Sequence, residues 1–226
     1  MNAKPFPHIV LSGILDAKEL QTLVNEFPDV DADKDVKYRG AHEHKDVICA
    51  RDKLSYHTNR IIDKLNSDTF CSWLNELTGI EEQLRADHKL MGGGLHESPR
   101  GGYLMLHADF NKHYETGLDR RVNVLVYLNA DWPEEYGGHV ELWDYELKEK
   151  PVRVLPTLGT VVIFNTTDYS WHGHPDPNNC PDNRRRMSLA LYYYSKGRPA
   201  HELNPTPHNS IWVKRPNSND PDGLIT

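Results

Sequence analysis

Positions 107 and 109 of this chain are a histidine and an aspartate, closing the extended run Gly102-Tyr-Leu-Met-Leu-His-Ala-Asp109. In a strand, residues i and i+2 point to the same side, so an imidazole and a carboxylate converge here from one segment. They supply two ligands of a metal site, and a third must come from elsewhere. Trp171-His172-Gly173-His174-Pro175 offers it about 65 positions downstream. His172 and His174 share a face at strand period, and either could complete the set. Pro175 tends to end a strand directly after His174, which favours His172. Two histidines and one carboxylate occupy one face of an octahedron and leave three positions open, the arrangement that binds non-haem Fe(II). A structural zinc site would close all four of its positions with protein ligands, usually including cysteine, and no cysteine accompanies this set.

Two further stretches carry polar groups where a plain core would not. Arg186-x-Ser188 opens the apolar run Met187–Ser195, and an arginine fork followed at period 2 by a hydroxyl suits a single carboxylate. Arg184 is the rival arginine, and the pairing with Ser188 favours Arg186. In Arg121-Val-Asn-Val-Leu-Val-Tyr-Leu-Asn129-Ala-Asp-Trp132, residues Asn123, Leu125 and Tyr127 share one face. A polar group at each end of an apolar face suits a pocket wall that orients a polar ligand.

The elements that position these groups fall into two halves. His8–Ser12 reads as a short strand, and a helix follows from Asp16 to Phe27 with Glu19 completing a capping box. The polar stretch from Pro28 to Tyr56, which contains His42 and His44, reads as irregular. Helices follow over Leu54–Leu65 and Asp68–Leu77, the second capped by Ser67 and closed at Gly79. Leu84–Leu90 reads as a strand, and Gly92–Gly94 and Gly101–Gly102 as punctuation. Strand signals then repeat at Tyr103–Asp109, Val122–Asn129, His139–Asp144, Val152–Leu155, Thr160–Asn165, Tyr169–His172 and Met187–Ser195. Many short strands with Gly, Pro, Asn and Asp turns between them imply a sandwich, barrel or jelly roll. The expected organisation is one domain over residues 1–226: helical and strand support over 1–90, a β core over 91–195 and a loose surface tail over 196–226.

Composition narrows the setting. A chain of 226 residues can bury a sizeable core. Its net charge of −7 and single short basic run, Arg184–Arg186, speak against a nucleic-acid partner. No apolar run is long enough for a membrane span, and the first residues lack the apolar region of a signal peptide. Three cysteines without CxxC spacing indicate neither a disulfide framework nor a zinc ribbon, so a reducing cytoplasm is the expected compartment. Nothing in the sequence sets an oligomeric state.

Taken in order, His107-x-Asp109, Tyr127-Leu-Asn129 with Asp131-Trp132, Gly137-Gly138, His172 and Arg186-x-Ser188 resemble the Fe(II)- and 2-oxoglutarate-dependent dioxygenases, in particular the prolyl 4-hydroxylase-like branch. The resemblance spans about residues 91–195. It implies a mainly β fold, a double-stranded β-helix (jelly roll, cupin-like) with N-terminal helices against one sheet. It makes His107, Asp109 and His172 the iron ligands. It sets Arg186 and Tyr127 on the distal carboxylate of 2-oxoglutarate, with Ser188 assisting and Asn123 beside them. The implied reaction is hydroxylation of a C–H bond with O2, coupled to decarboxylation of 2-oxoglutarate to succinate and CO2, with ascorbate as an accessory the family allows. Asp109 stands where halogenating relatives carry a small residue. The interval from His172 to Arg186 is longer than is usual in the family, and Pro175–Asn183 reads as the enlarged turn that absorbs it.

The expected substrate is a prolyl residue, peptidyl or free. The same chemistry on a sugar, nucleotide or other small metabolite is the alternative within the class, and a non-catalytic jelly-roll binding module the alternative outside it. Arg186 with Tyr127 separates these, because a metal-only module has no use for a buried carboxylate clamp. Candidate specificity elements are the loops Val36–Tyr56 and Asn111–Asp119, Tyr169, and Tyr192, which shares the face of Arg186. His113 and His139 are expected at loop and surface positions, and Trp132 and Trp143 in the core or pocket wall.

Overall fold

The computed structural model describes residues 3–30, 36–149, 151–202, 204 and 206–225, with the backbone alone for 224–225. Residues 31–35, inside the stretch expected to be irregular, lie outside that description, as do residues 1 and 2. The strands in chain order are β1 (His8–Leu11), β2 (Val36–Arg39), β3 (Glu43–Ile48), β4 (Arg85–Ala86), β5 (Gly94–Ser98), β6 (Tyr103–Ala108) and β7 (Asp119–Tyr127). They continue as β8 (Val140–Leu142), β9 (Val152–Val154), β10 (Val161–Asn165), β11 (His172–His174), β12 (Arg186–Ser195), β13 (Ile211–Trp212) and β14 (Leu224–Ile225). Helices α1 (Ala17–Asn25), α2 (Tyr56–Leu65) and α3 (Asp68–Thr78) precede most of them.

The strands form one antiparallel sheet in the order β1-β10-β7-β12-β5-β3-β6-β11-β8-β9, curled into a half-barrel of jelly-roll type. Period-2 alternation splits each central strand between two environments. On β7, Val122, Val124 and Val126 join the core under the helices, with Ile62, Leu65 and Leu74. Their neighbours Asn123, Leu125 and Tyr127 face the barrel interior and line a cavity there. On β12, Leu189, Leu191 and Tyr193 pack on the helix side, while Arg186, Ser188, Ala190 and Tyr192 line the cavity. Each fully buried aliphatic side chain contributes about 1.5–3 kcal/mol. The helix face therefore holds the sheet in place and leaves the inner face free to carry polar groups.

Helix α1 starts as expected. Asp16 accepts from the Glu19 amide and Glu19 returns a bond to the Asp16 amide, worth about 1 kcal/mol. Ser67 caps α3, and Gly79 ends it at φ 71°.

Five expectations need correction. The polar stretch before Tyr56 contains the hairpin β2–β3, with β3 paired to both β5 and β6. Part of its polarity comes from Glu43 and Lys45, which line cavities, and part from the exposed Lys37 and Arg39. The expected strand over Leu84–Leu90 shrinks to β4, because Asp87 turns the chain by accepting from the Lys89 and Met91 amides. Gly94 does not merely punctuate: it opens β5 at φ 99°, where a Cβ would come within 2.5 Å of the Ile48 carbonyl oxygen. The strand expected over Tyr169–His172 begins at His172 instead, after a turn closed by Thr167 and Ser170. Finally, the tail is not loose throughout. β13 pairs with β6, setting Trp212 opposite His107.

Candidate metal and keto-acid site

His107 is the last residue but one of β6, Asp109 directly follows the strand, and His172 begins the neighbouring β11, registered directly across from His107. The pairing needs Gly173, whose Cβ would fall 2.6 Å from the Leu104 carbonyl oxygen and 2.7 Å from that of Met105. One ligand atom from each of His107, Asp109 and His172 lies within 4.8 Å of the others. His107 Nε2 is 3.6 Å from Asp109 Oδ1, and His172 Nε2 is 3.4 Å from Asp109 Oδ2.

The tautomers follow from the outer partners. Nδ1–H of His107 donates to the Met105 carbonyl and Nδ1–H of His172 to the Ser170 carbonyl, both at 2.9 Å. Each Nε2 lone pair is thereby turned toward the centre of the trio, as a metal ligand requires. Burial pushes the His172 pKa down to about 4, which keeps the ring neutral. Burial works to raise the Asp109 carboxyl, but the Arg120 guanidinium and the two imidazoles outweigh it and hold it well below the usual range. Such a set suits a divalent first-row metal.

Behind Asp109 stands a group the sequence reading passed over. Arg120, fully buried, approaches Asp109 Oδ2 at 3.1 Å and donates through Nε and Nη2 to Asn123 Oδ1 at 3.1 and 2.9 Å. Its guanidinium lies 3.5 Å from the Tyr192 ring centre and 4.4 Å from that of Phe110. Asn123 Nδ2 in turn donates to Asp109 Oδ2 at 2.8 Å. Asn123, expected beside the keto acid, lines the cavity and gives its amide to the aspartate at the metal end.

The clamp residues lie at the other end of the same cavity. Arg186 is buried, its Nε donates to the Gly138 carbonyl at 2.6 Å, and its guanidinium carbon sits 5.0 Å from the Tyr127 ring centre. Gly138 adopts φ 69°, and a Cβ there would come within 2.9 Å of Arg186 Cδ, so the Gly137-Gly138 turn makes room for the arginine. Tyr127 Oη is buried with no partner, and Ser188 is registered opposite Tyr127. A buried guanidinium beside an unpaired hydroxyl is a site prepared for a carboxylate. Arg184 turns elsewhere, to the Ala130 and Asp131 carbonyls. His174 lines the cavity beyond the trio.

The remaining expectations sort by position. His113 and His139 are buried rather than at the surface, beside Asp87 and Glu134 respectively. Trp132 is buried, with Nε1 donating to Gly137. Tyr169 stays exposed against Tyr145. Tyr192 lines both the inner cavity and an outer one that opens past Tyr38, Lys45, Phe110 and Trp212. Trp212 stacks on His107, ring centres 5.0 Å apart, and on His42 at the same distance, so the C-terminal strand walls the approach to the trio. The signal for this was an aromatic residue flanked by Ile211 and Val213 in an otherwise polar tail.

The curled sheet thus gathers two histidines and an aspartate in one cavity with a buried arginine and tyrosine. The model of the 2OG-Fe(II) oxygenase superfamily matches residues 93–194. That match takes in the trio, Tyr127 and Arg186, so over this stretch, somewhat under half of the chain, the sequence is similar to the superfamily's oxygenase domain. The chain is 21% identical over 199 residues to mouse prolyl 3-hydroxylase OGFOD1, covering 86% of this chain and 34% of that protein, so it spans about a third of the relative's length. A prolyl-4-hydroxylase from Pseudomonas putida shares the fold at a TM-score of 0.62 and 18% identity, over 87% of this chain and 96% of that one. A prolyl hydroxylase from Trichoplax adhaerens, solved with a peptide of the hypoxia inducible factor oxygen degradation domain, does so at 0.61 and 14% identity, over 86% of each chain. Iron and 2-oxoglutarate are the cofactor and co-substrate of this enzyme, and the donor set fits both. No helix among the described residues is long and apolar enough to cross a membrane.

Proposed function

We propose that this enzyme hydroxylates a prolyl residue, peptidyl or free, with residues 1–226 working as one catalytic unit. The observation that carries the reading is the shared cavity: the trio and the clamp of Arg186 with Tyr127 line one enclosed space. In this reading His107, Asp109 and His172 hold Fe(II), and Arg186, Tyr127 and Ser188 receive the distal carboxylate of 2-oxoglutarate. When bound, the iron supplies O2 activation coupled to decarboxylation of the keto acid. The chain's own part is positional. The Met105 and Ser170 carbonyls fix the imidazole tautomers, Arg120 and Asn123 orient the carboxylate, and Tyr38, Phe110, Tyr192 and Trp212 wall the approach. Two kinds of relative support a prolyl substrate, the prolyl 3-hydroxylase by sequence and the prolyl 4-hydroxylases by fold.

The test is substrate-stimulated succinate formation across proline-containing peptides, free proline, and a panel of sugars and nucleotides. Stimulation by a prolyl compound, with a mass gain of one oxygen on it, is the expected result. Stimulation confined to a sugar or nucleotide would move the substrate class while keeping the chemistry. No succinate with any compound, from iron-loaded protein that binds 2-oxoglutarate, would count against both.

A further inference from the structure

Phe110, the residue after Asp109, is the wall between two spaces. On one side is the approach to the trio, about 110 Å³ bounded by Tyr38, Tyr192 and Trp212. On the other is a larger cavity of about 700 Å³, which neither the trio nor the clamp lines. Gly92 borders both spaces as well. It adopts φ 69°, and a Cβ there would lie 3.3 Å from the Phe110 ring, so glycine lets that ring lie close. The Arg120 guanidinium sits 4.4 Å from the ring centre. The two spaces thus meet across one packed ring.

The lining of the larger cavity is a built one. Its outer wall is the tail at Pro207–Asn209, and Asn111 ties that segment down. Asn111 Nδ2 donates to the Thr206 carbonyl at 2.9 Å, and its Oδ1 accepts from the His208 amide at 3.1 Å. Met91, Phe110, Tyr114 and Pro207 bring apolar surface from three separate segments of chain. The cation and the imidazoles on the border are engaged elsewhere. Lys112 pairs with Asp119 at 2.8 Å, and His208 Nε2 lies 3.0 Å from Asp168 Oδ1. His113 Nδ1 accepts from the Glu115 and Thr116 amides, while its Nε2 faces Asp87. The space is therefore left to an apolar group, whose burial is favourable by area alone. Tyr114, 79% exposed, stands at the rim where such a group would cover it.

A substrate confined to the approach leaves this cavity unused, whereas a chain passing the trio meets it. Extended polypeptide advances about 3.3 Å per residue, so a side chain within about three positions of the oxidised residue reaches across Phe110. We propose that the cavity bounded by Met91, Phe110, Tyr114 and Pro207 is a specificity subsite for an apolar side chain of a polypeptide substrate, close to the residue being oxidised. This rests on the prolyl reading given under Proposed function and narrows it from peptidyl or free proline to peptidyl. Met91 is unbranched and adaptable, so leucine, methionine and phenylalanine side chains should all be accepted.

The test uses peptide pools with a central proline, in which one residue type is fixed at one of the three positions on either side and the rest are randomised. N-acetylprolinamide is the probe without flanks. Hydroxylation rates at low substrate, which report kcat/KM, are read from the mass gain of one oxygen. One flanking position should favour leucine or phenylalanine over serine by roughly tenfold or more, the size of burying one aliphatic side chain. N-acetylprolinamide should fall below the favoured pool by at least as much. Tyr114→Asp and Met91→Asp should each remove most of the preference, and Tyr114→Leu, which leaves the rim apolar, should keep it. 2-Oxoglutarate affinity and the thermal midpoint identify a variant that has lost its fold, and the two variants of the exposed Tyr114 then decide. A preference that survives both charged variants is set elsewhere and overturns the assignment. A preference for charged residues, or none at any position, overturns it too, as does N-acetylprolinamide reacting as well as every pool. The prolyl reading survives each of those results. If no prolyl compound stimulates succinate formation from iron-loaded protein, that reading falls and the subsite falls with it.

Discussion

The trio and the rest of the cavity lining differ in how far the protein has completed them. The trio is held from behind: each imidazole Nδ1–H meets a carbonyl, and Asp109 Oδ2 receives both Asn123 and Arg120. In the rest of the cavity Tyr127 Oη, His96 Nε2 and His174 Nδ1 are buried and unpaired. The first arrangement presets geometry for a small, demanding ion, where supporting bonds orient the ligands before it arrives. The second leaves polar atoms for a larger ligand to meet. A metal can be taken up into a rigid frame, but a carboxylate must find its hydrogen bonds open.

That contrast can be broken at either end, and the effects should fall in a definite order. Removing a ligand should matter most. His172→Ala is expected to abolish stoichiometric Fe(II) binding in equilibrium dialysis, whereas His174→Ala should retain it; the reverse outcome would exchange their places. Next comes Arg186→Met, which should weaken 2-oxoglutarate by about 30-fold or more, the usual scale for removing one partner of a buried charged contact. Iron affinity should stay unchanged, and equal loss of both would indicate a fold defect. Asn123→Ala should be milder, lowering iron affinity roughly 10–100-fold as outer supporting partners do, with keto-acid affinity per loaded site little altered.

The smallest effect concerns stability. The His96 pKa is lowered to about 3 in the folded protein against 6.5 for a free ring. Above that ordinary value the ring is neutral in both states and has no effect on stability. As pH falls below it the unfolded chain takes up a proton that the folded one refuses, so stability is lost progressively down to about pH 3. His96→Leu should therefore reduce the slope of thermal midpoint against pH between about 6 and 4. An unchanged slope would mean that the ring is not held neutral.

Much of this frame was legible in the sequence because period 2 survives wherever one face of a strand is apolar. β7 and β12 show it plainly: Val122, Val124, Val126, Leu189 and Leu191 mark the helix face and leave Asn123, Tyr127, Arg186 and Ser188 as the residues to explain. The signal failed where both faces are polar or where glycine interrupts. β3 carries Glu43 and Lys45 inward and His44 and Asp46 on the other face, so it resembles a solvated loop. β5 begins at a glycine required by its close approach to Ile48, which hid His96. Arg120 adjoins Arg121, and nothing local says that the first turns to Asp109 while the second pairs with Glu82. Trp212 lies over His107 through a strand of two residues, too short for any periodicity. These omissions share a cause, since a polar cavity inside a barrel inverts the rule that inward residues are apolar.

The central claim is that His107, Asp109 and His172 together hold the iron that receives 2-oxoglutarate. Its most direct test is the visible spectrum of anaerobic protein titrated with Fe(II) and then 2-oxoglutarate. A weak charge-transfer band should develop on adding the keto acid to the wild-type protein and be missing in Asp109→Ala. A band of undiminished intensity in Asp109→Ala, at the same iron occupancy, would contradict the account.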